Sequence, residues 1–165
     1  MSQVDDKVHN IRGFSRVQIT EPLADGTEKI VGDSGWTGPN TITDLGFLQY
    51  LNMSLGGSAA AKSVAYIALG TGSAPNASHN TLDGEISAST KRTTVVFATA
   101  NSRSAQFTAT FSSSASFLAS ASTLSNVGLF NATTSDATLF AGNTFTASSC
   151  NSNQNVNVTY TIKFS

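Results

Sequence analysis

Hydrophobic and polar residues alternate with a period of two over Asn155–Phe164. Val156, Val158, Tyr160, Ile162 and Phe164 fall on one side, and Asn157, Thr159, Thr161 and Lys163 on the other. β-Branched and aromatic residues in that pattern predict a strand with one buried and one solvated face. The same period recurs over Ser104–Phe111, with Ala105, Phe107, Ala109 and Phe111 inward and Gln106, Thr108 and Thr110 outward. Shorter β-rich runs lie at Arg16–Thr20, Thr27–Val31, Ser63–Leu69, Thr93–Thr99, Leu124–Phe130 and Leu139–Phe145. The first two flank Pro22 and Asp25-Gly26 and read as a hairpin with a longish loop. Short strands joined by Ser, Thr, Asn and Gly turns predict a mainly β chain folded as an antiparallel β-sandwich.

One stretch breaks the pattern. Ile42, Leu45, Leu48, Leu51 and Leu55 recur at three- and four-residue spacing, which predicts one amphipathic helix over about 41–55. Thr41 or Thr43 can cap its first amides, and Gly56-Gly57 can end it. Gly46 inside it costs about 1 kcal/mol relative to alanine and predicts the close approach of another backbone. The preceding Gly32–Asn40 is rich in turn residues and carries the sole tryptophan, Trp36, whose ring is expected to pin an ordered loop. Ser112–Ser122 reads as a loop anchored by Phe117 and Leu118, and Gly70-Thr71-Gly72 as a turn at a strand end. Residues 1 to about 13 read as an extended arm. The expected division is an N-terminal arm and β-hairpin over 1–40 and a β-sandwich domain over 41–165.

Composition narrows the function more than the fold. At 165 residues the chain is long enough for one core. Only 12% of residues are charged, roughly half the usual share. About half of these charges lie in residues 1–40: Asp5, Asp6, Lys7, Arg12, Arg16, Glu21, Asp25, Glu28, Lys29 and Asp33. Beyond Arg103 only Asp136 and Lys163 remain. The neutral remainder is expected to fold without residues 1–30. A net charge of −1 gives no basic footprint for nucleic acid. No apolar run approaches the roughly 20 residues of a membrane span, and the N-terminus lacks the basic and apolar regions of a secretory signal.

Candidate chemistry is sparse. Cys150 is the sole cysteine, expected as a half-buried thiol. His9 and His79, the two histidines, have no second ligand at metal spacing. Gly70-Thr71-Gly72 lacks the pattern of a phosphate loop. Lys91, Arg92 and Arg103 read as a solvated strand edge, and Asp83 and Glu85 define no acid–base pair. No catalytic, cofactor or metal site is expected.

Three segments in order carry a resemblance: Asn40–Phe47 (NTITDLGF); then Tyr66–Gly72 (YIALGTG) with Pro75 and Thr81–Glu85 (TLDGE); then Asn126–Asn131 (NVGLFN) with Thr138–Ala141 (TLFA). Over residues 40–165 this order resembles small structural proteins of tailed bacteriophages and, more distantly, the N-terminal domain of phage tail-collar fibres. An arginine commonly follows the turn corresponding to Thr81–Glu85; its nearest counterpart here is Arg92. The resemblance implies a non-enzymatic virion protein made in the host cytoplasm, in the first place a head (capsid) decoration or cement subunit. A tail, collar or fibre-adaptor protein is the alternative. The implied partners are the major capsid protein or a tail or collar protein of the same virion, with self-association. On this reading the charged hairpin supplies the candidate interaction residues Arg16, Glu28 and Lys29, together with Trp36. A carbohydrate-binding module is the other non-enzymatic reading: an exposed Trp36 could stack on sugar, although burial beneath its Gly-rich loop is the plainer expectation.

Overall fold

The structure, a computed structural model, describes residues 10–56, 61–86 and 91–164. Most of the expected arm and Gly57 therefore lie outside the described residues. The first sheet is built from β1 (Ile11–Pro22), β2 (Glu28–Asp33), β6 (Val96–Asn101), β7 (Ser104–Phe111) and β10 (Asn155–Phe164), in the order β2-β1-β10-β7-β6. The second is built from β3 (Thr41–Ile42), β4 (Tyr66–Gly70), β5 (Thr93–Thr94), β8 (Ser122–Phe130) and β9 (Leu139–Cys150), in the order β3-β9-β8-β4-β5. All the pairings are antiparallel. The chain is thus mainly β, with two antiparallel sheets and one short helix, consistent with the β-sandwich read from the periodicity.

β10 lies at the middle of the first sheet, paired with β1 on one side and β7 on the other. Its alternation translates directly into packing. Val156, Val158, Tyr160 and Ile162 are buried against Phe107, Ala109 and Phe111 of β7 and against Ile67, Leu69, Leu124, Val127 and Leu129 of the second sheet. Phe164, at the strand end, is partly exposed. The Tyr160 ring is fully buried, and its hydroxyl accepts a hydrogen bond from Asn40 Nδ2 at 2.7 Å. Phe117 and Leu118 close one end of the core, as their loop predicts.

β1 departs from the expected arm. Strand structure begins at Ile11 and pairs with β10 from Ile11↔Phe164 through Thr20↔Asn155. Val17 and Ile19 enter the same core as β10. The expectation that the remainder folds without residues 1–30 meets a physical objection: those residues supply an interior strand. The hydrophobic pattern hid this because Gly13 and Ser15 occupy inward positions where apolar residues would reveal the period. Ser15 is instead buried in a polar contact, its hydroxyl 3.0 Å from both Thr37 Oγ1 and Asn143 Nδ2.

After β2 the chain keeps alongside β1. Ser34 donates to the Val17 carbonyl, Thr37 and Ser15 exchange backbone hydrogen bonds, and Asn40 donates to Gly13. It then crosses to the second sheet as β3. These bonds, not the Trp36 ring, order the loop: Trp36 is 54% exposed, which corrects the expectation that it is a buried pin.

The helical region is shorter and differently wound than the spacing predicts. Thr41–Ile42 is a strand, and the helix α1 (Asp44–Gly46) continues directly into a π-helical stretch, Phe47–Asn52. Thr43 is the cap, its hydroxyl accepting from Gly46 N at 2.9 Å. The same hydroxyl donates to the Leu139 carbonyl at 2.5 Å, and Thr43 N donates to Phe140 O at 3.1 Å. Those carbonyls flank a bulge where Leu129↔Ala141 is followed by Phe130↔Leu139, leaving Phe140 as the extra residue. Gly46 sits directly on the Phe140 carbonyl with no room for a Cβ, so the expected close approach is real. π winding moves side chains off the 3.6-residue stripe. Tyr50 turns inward, its ring tilted against Phe140 with centroids 4.9 Å apart and its hydroxyl donating to Thr138 O at 2.6 Å, while Leu48 and Leu55, expected inside, are exposed.

Over its middle, the second sheet is buried on both faces. Ile67, Leu69 and Leu129 face the main core, and Ala68, Phe130 and Leu139 face a smaller cluster covered by Leu82 and Ala137.

Two outcomes test this architecture. Deleting residues 1–30 is expected to yield insoluble protein, because it strips the partner from one edge of β10; recovery of a folded monomer by circular dichroism and size exclusion would contradict it. Tyr160→Asp is expected to abolish folding, an unpaired buried charge costing several kcal/mol. Thr159→Asp, on the outer face, is expected to shift the urea midpoint only slightly.

Candidate functional site

The outer face of the first sheet gathers most of the polar side chains singled out in the sequence. Alternation places Arg12, Phe14, Arg16, Gln18 and Thr20 of β1 there, opposite Lys163, Thr161, Thr159, Asn157 and Asn155 of β10. Arg16 grips Asp33 through two hydrogen bonds, Nε to Oδ1 at 3.0 Å and Nη2 to Oδ2 at 2.5 Å, and Gln18 Nε2 adds a third at 3.0 Å. Glu28 accepts from Thr20 Oγ1 at 2.8 Å, Asn155 Nδ2 at 2.6 Å and Asn157 Nδ2 at 3.3 Å. Arg16 and Glu28 thus work within the domain, while Lys29 is exposed on β2. The structure does not bring the four candidates together as one patch: Trp36 stands toward the other end of the face.

Around Trp36 lies a groove of about 370 Å³ lined by Phe14, Trp36, Asn101, Ser104, Gln106, Thr161 and Lys163. The register explains the grouping. Phe14 faces Thr161, which faces Gln106, and Lys163 faces Ser104, so neighbouring strands deliver one row each. Lys163 Nζ sits 5.2 Å from the centre of the Phe14 ring, a cation–π contact that holds the ammonium over the groove wall. The Ser104 hydroxyl is buried and has no hydrogen-bond partner among the described residues. Sequence reasoning found Trp36 but missed Phe14, Gln106 and Thr161. The outward alternation of Ser104–Phe111 and Asn155–Phe164 was the available signal for the last two.

A second concave region, about 400 Å³, is lined by Ser73, Ser78, His79, Asn80, Thr81 and Asp83. Its residue types suggest a hydrolase, but its hydrogen bonds do not form a relay. Ser73 Oγ donates to Asp83 Oδ2 at 2.8 Å, and His79 Nε2 lies 3.0 Å from Asn76 Nδ2. The serine proton is therefore directed at the carboxylate, and the imidazole is tied to an amide. Asp83 holds a tight turn: the Ser73 backbone amide, then the Ser73 hydroxyl, keep its carboxyl below the usual range. Gly72 packs so closely on Asp83 that it has no room for a Cβ, and Gly84 adopts φ +61°. Among the described residues no group of His, Cys, Asp and Glu could hold a metal ion.

The basic cluster is corrected in part. Arg92 is only 8% exposed. Its Nε and Nη2 bind Glu85 at 2.7 and 2.9 Å, Nη1 donates to the Ala132 and Thr134 carbonyls, and the guanidinium lies 3.7 Å from the Phe130 ring centre. It is an internal clamp joining the Thr81–Glu85 turn to the loop after β8, not part of a solvated edge. Asn126 plays a similar part, fully buried and donating to Ser73 O at 3.0 Å and Asp83 O at 2.8 Å. Cys150 is buried rather than half-buried, and burial pushes its thiol up to about 11. Comparison with known protein families, curated proteins and solved structures finds no match to this chain.

Removing the Arg92 charge strands the Glu85 carboxylate, so Arg92→Met is expected to cost about 3–5 kcal/mol in urea unfolding. A loss below about 1 kcal/mol would show the clamp to be incidental. Acid stability follows from the carboxylates. Hydrogen bonds from Arg16 hold Asp33 below its ordinary range, and those from Thr20 and then Asn155 do the same for Glu28. Depressed folded-state values stabilise above the unfolded carboxylate range and lose that contribution as pH falls through the folded values. Thermal stability is expected to be level from about pH 5 to 8 and to fall below about pH 4. Asp33→Asn is expected to shallow that acid limb.

Proposed function

We propose that this chain is a non-enzymatic structural subunit of a tailed-phage virion, a head decoration or cement protein that associates with copies of itself and with the major capsid protein. A tail or collar position is the alternative. The ordered motifs of residues 40–141 support the virion class, and one structural observation supports self-association. β6 is a six-residue outer strand with no charged residue, and Val96 and Phe97 on it are 70% and 57% exposed. Proteins that remain monomeric usually protect such an edge with lysine, proline, a covering loop or extreme shortness. The outer strands of the second sheet, β3 and β5, are two residues long. β2, at the far edge of the first sheet, exposes Ile30 and Val31. The uncharged edge at β6 suits addition of a like subunit, whereas β2 carries Glu28, Lys29 and Asp33 beside its exposed apolar pair.

Two measurements test this. Quantitative mass spectrometry of virions carrying the gene is expected to find the protein in hundreds of copies, as a subunit repeated by the head symmetry would be. About a dozen copies would favour the collar alternative, and absence from particles would end the virion reading. In solution, the protein is expected to associate with rising concentration in analytical ultracentrifugation. Val96→Lys with Thr99→Lys is expected to leave the thermal midpoint nearly unchanged and keep the protein monomeric. Association unaffected by the two lysines would move the interface away from β6.

A further inference from the structure

We propose that the groove at Phe14 and Trp36 is a saccharide-binding site, with one pyranose unit stacked on the Trp36 ring. The inference stands apart from the virion assignment, since it rests on the groove's own chemistry. A pyranose has a face of C–H groups and a rim of hydroxyls, and a site for it needs an accessible aromatic surface beside polar groups that are not already paired. Trp36 supplies the surface, more than half exposed, at a point where its loop is ordered by backbone bonds to β1 and not by the ring itself. Phe14 lines the same groove.

The polar groups set this place apart from the rest of the face. Toward the other end, Arg16, Gln18 and Asp33 satisfy one another, as do Glu28, Thr20, Asn155 and Asn157. In the groove, the Gln106 amide and the Thr161 hydroxyl have no side-chain hydrogen bond among the described residues. Asn101 uses its Oδ1 on Arg103 N at 2.9 Å, which leaves its amide donors for a ligand. Beneath them, shielded from the groove, the Ser104 hydroxyl has no hydrogen-bond partner among the described residues. A hydroxyl-rich ligand can act as donor or acceptor to the Gln106 and Asn101 amides and the Thr161 hydroxyl, all of which line the groove. About 370 Å³ accommodates one or two sugar rings, small for a docked protein segment.

Trp36 is the sole tryptophan, so intrinsic fluorescence reports on the site directly. The probes are methyl pyranosides and their disaccharides, neutral and acidic, titrated into the full chain up to about 10 mM, a range suited to single-site affinities near millimolar. At least one is expected to shift the Trp36 emission saturably. Saturation-transfer NMR with that sugar is expected to show binding about tenfold weaker in Trp36→Ala, and weaker also in Gln106→Ala. Thr110→Ala, elsewhere on the same face, is expected to bind as the parent does. Thermal unfolding of each variant separates lost binding from lost structure. No response to any probe in either readout overturns the proposal, and so does binding that a folded Trp36→Ala retains in full.

Discussion

The ladder between β1 and β10 is the constraint on which the remaining structure depends. It joins residues near the two ends of the chain over ten consecutive positions, Ile11↔Phe164 to Thr20↔Asn155. Through it Val17 and Ile19 meet Val156 and Val158, and the segment after β2 gains the β1 backbone to run along before crossing to the second sheet. Without it, β10 keeps only β7, the Asn40 bond to Tyr160 has no fixed origin, and the core loses one wall. Contacts so distant in sequence carry a large loop-closure cost before any burial rewards them. The first sheet is therefore the part of the fold most reliant on cooperative completion.

A chain so poor in charge holds its layers together with amides and hydroxyls. Asn143 Nδ2 reaches from β9 to Ser15 Oγ and to the Thr37 carbonyl at 3.0 and 2.9 Å, tying the two sheets. Asn40 ties β1 to β10 by accepting from Gly13 N at 2.6 Å while donating to Tyr160. Asn126 fastens two turns to β8. Neutral groups are cheaper to bury than ions when each finds a partner. The one buried ion pair, among the described residues, is Arg92–Glu85, where four hydrogen bonds and an aromatic face offset desolvation.

Periodicity made the strands with a continuous apolar face legible: Ser104–Phe111 and Asn155–Phe164 fall where the alternation puts them, with the inward set correct except for the exposed Phe164 at the strand end. It failed where inward positions are polar or glycine. Gly13 and Ser15 masked the first half of β1, because polar satisfaction across the sheets replaces apolar packing there. It failed again at Phe47–Asn52, where a stripe drawn for an α-helix cannot anticipate π winding set by the Phe140 bulge and the Tyr50–Thr138 bond. Gly46 was readable because a glycine at that cost within a helix needs a packing reason, and the Phe140 carbonyl provides it. Of the groove, Trp36 was visible as a residue, but its exposure was not. That depends on hydrogen bonds between Thr37 and Ser15, which composition does not reveal.

The two surfaces of the first sheet that carry proposals are geometrically independent. Edge-to-edge addition at β6 uses backbone groups lying in the plane of the sheet, whereas the groove opens along the normal to it, on side chains from β1, β6, β7, β10 and the loop after β2. Lateral association of the kind proposed would therefore leave the groove uncovered and repeat it once per subunit. Repetition matters physically, because a site with weak affinity for one sugar gains strongly when many copies face a surface bearing many sugars. The second sheet has less to offer in the first role: its outer strands are two residues long, and its middle is buried on both faces.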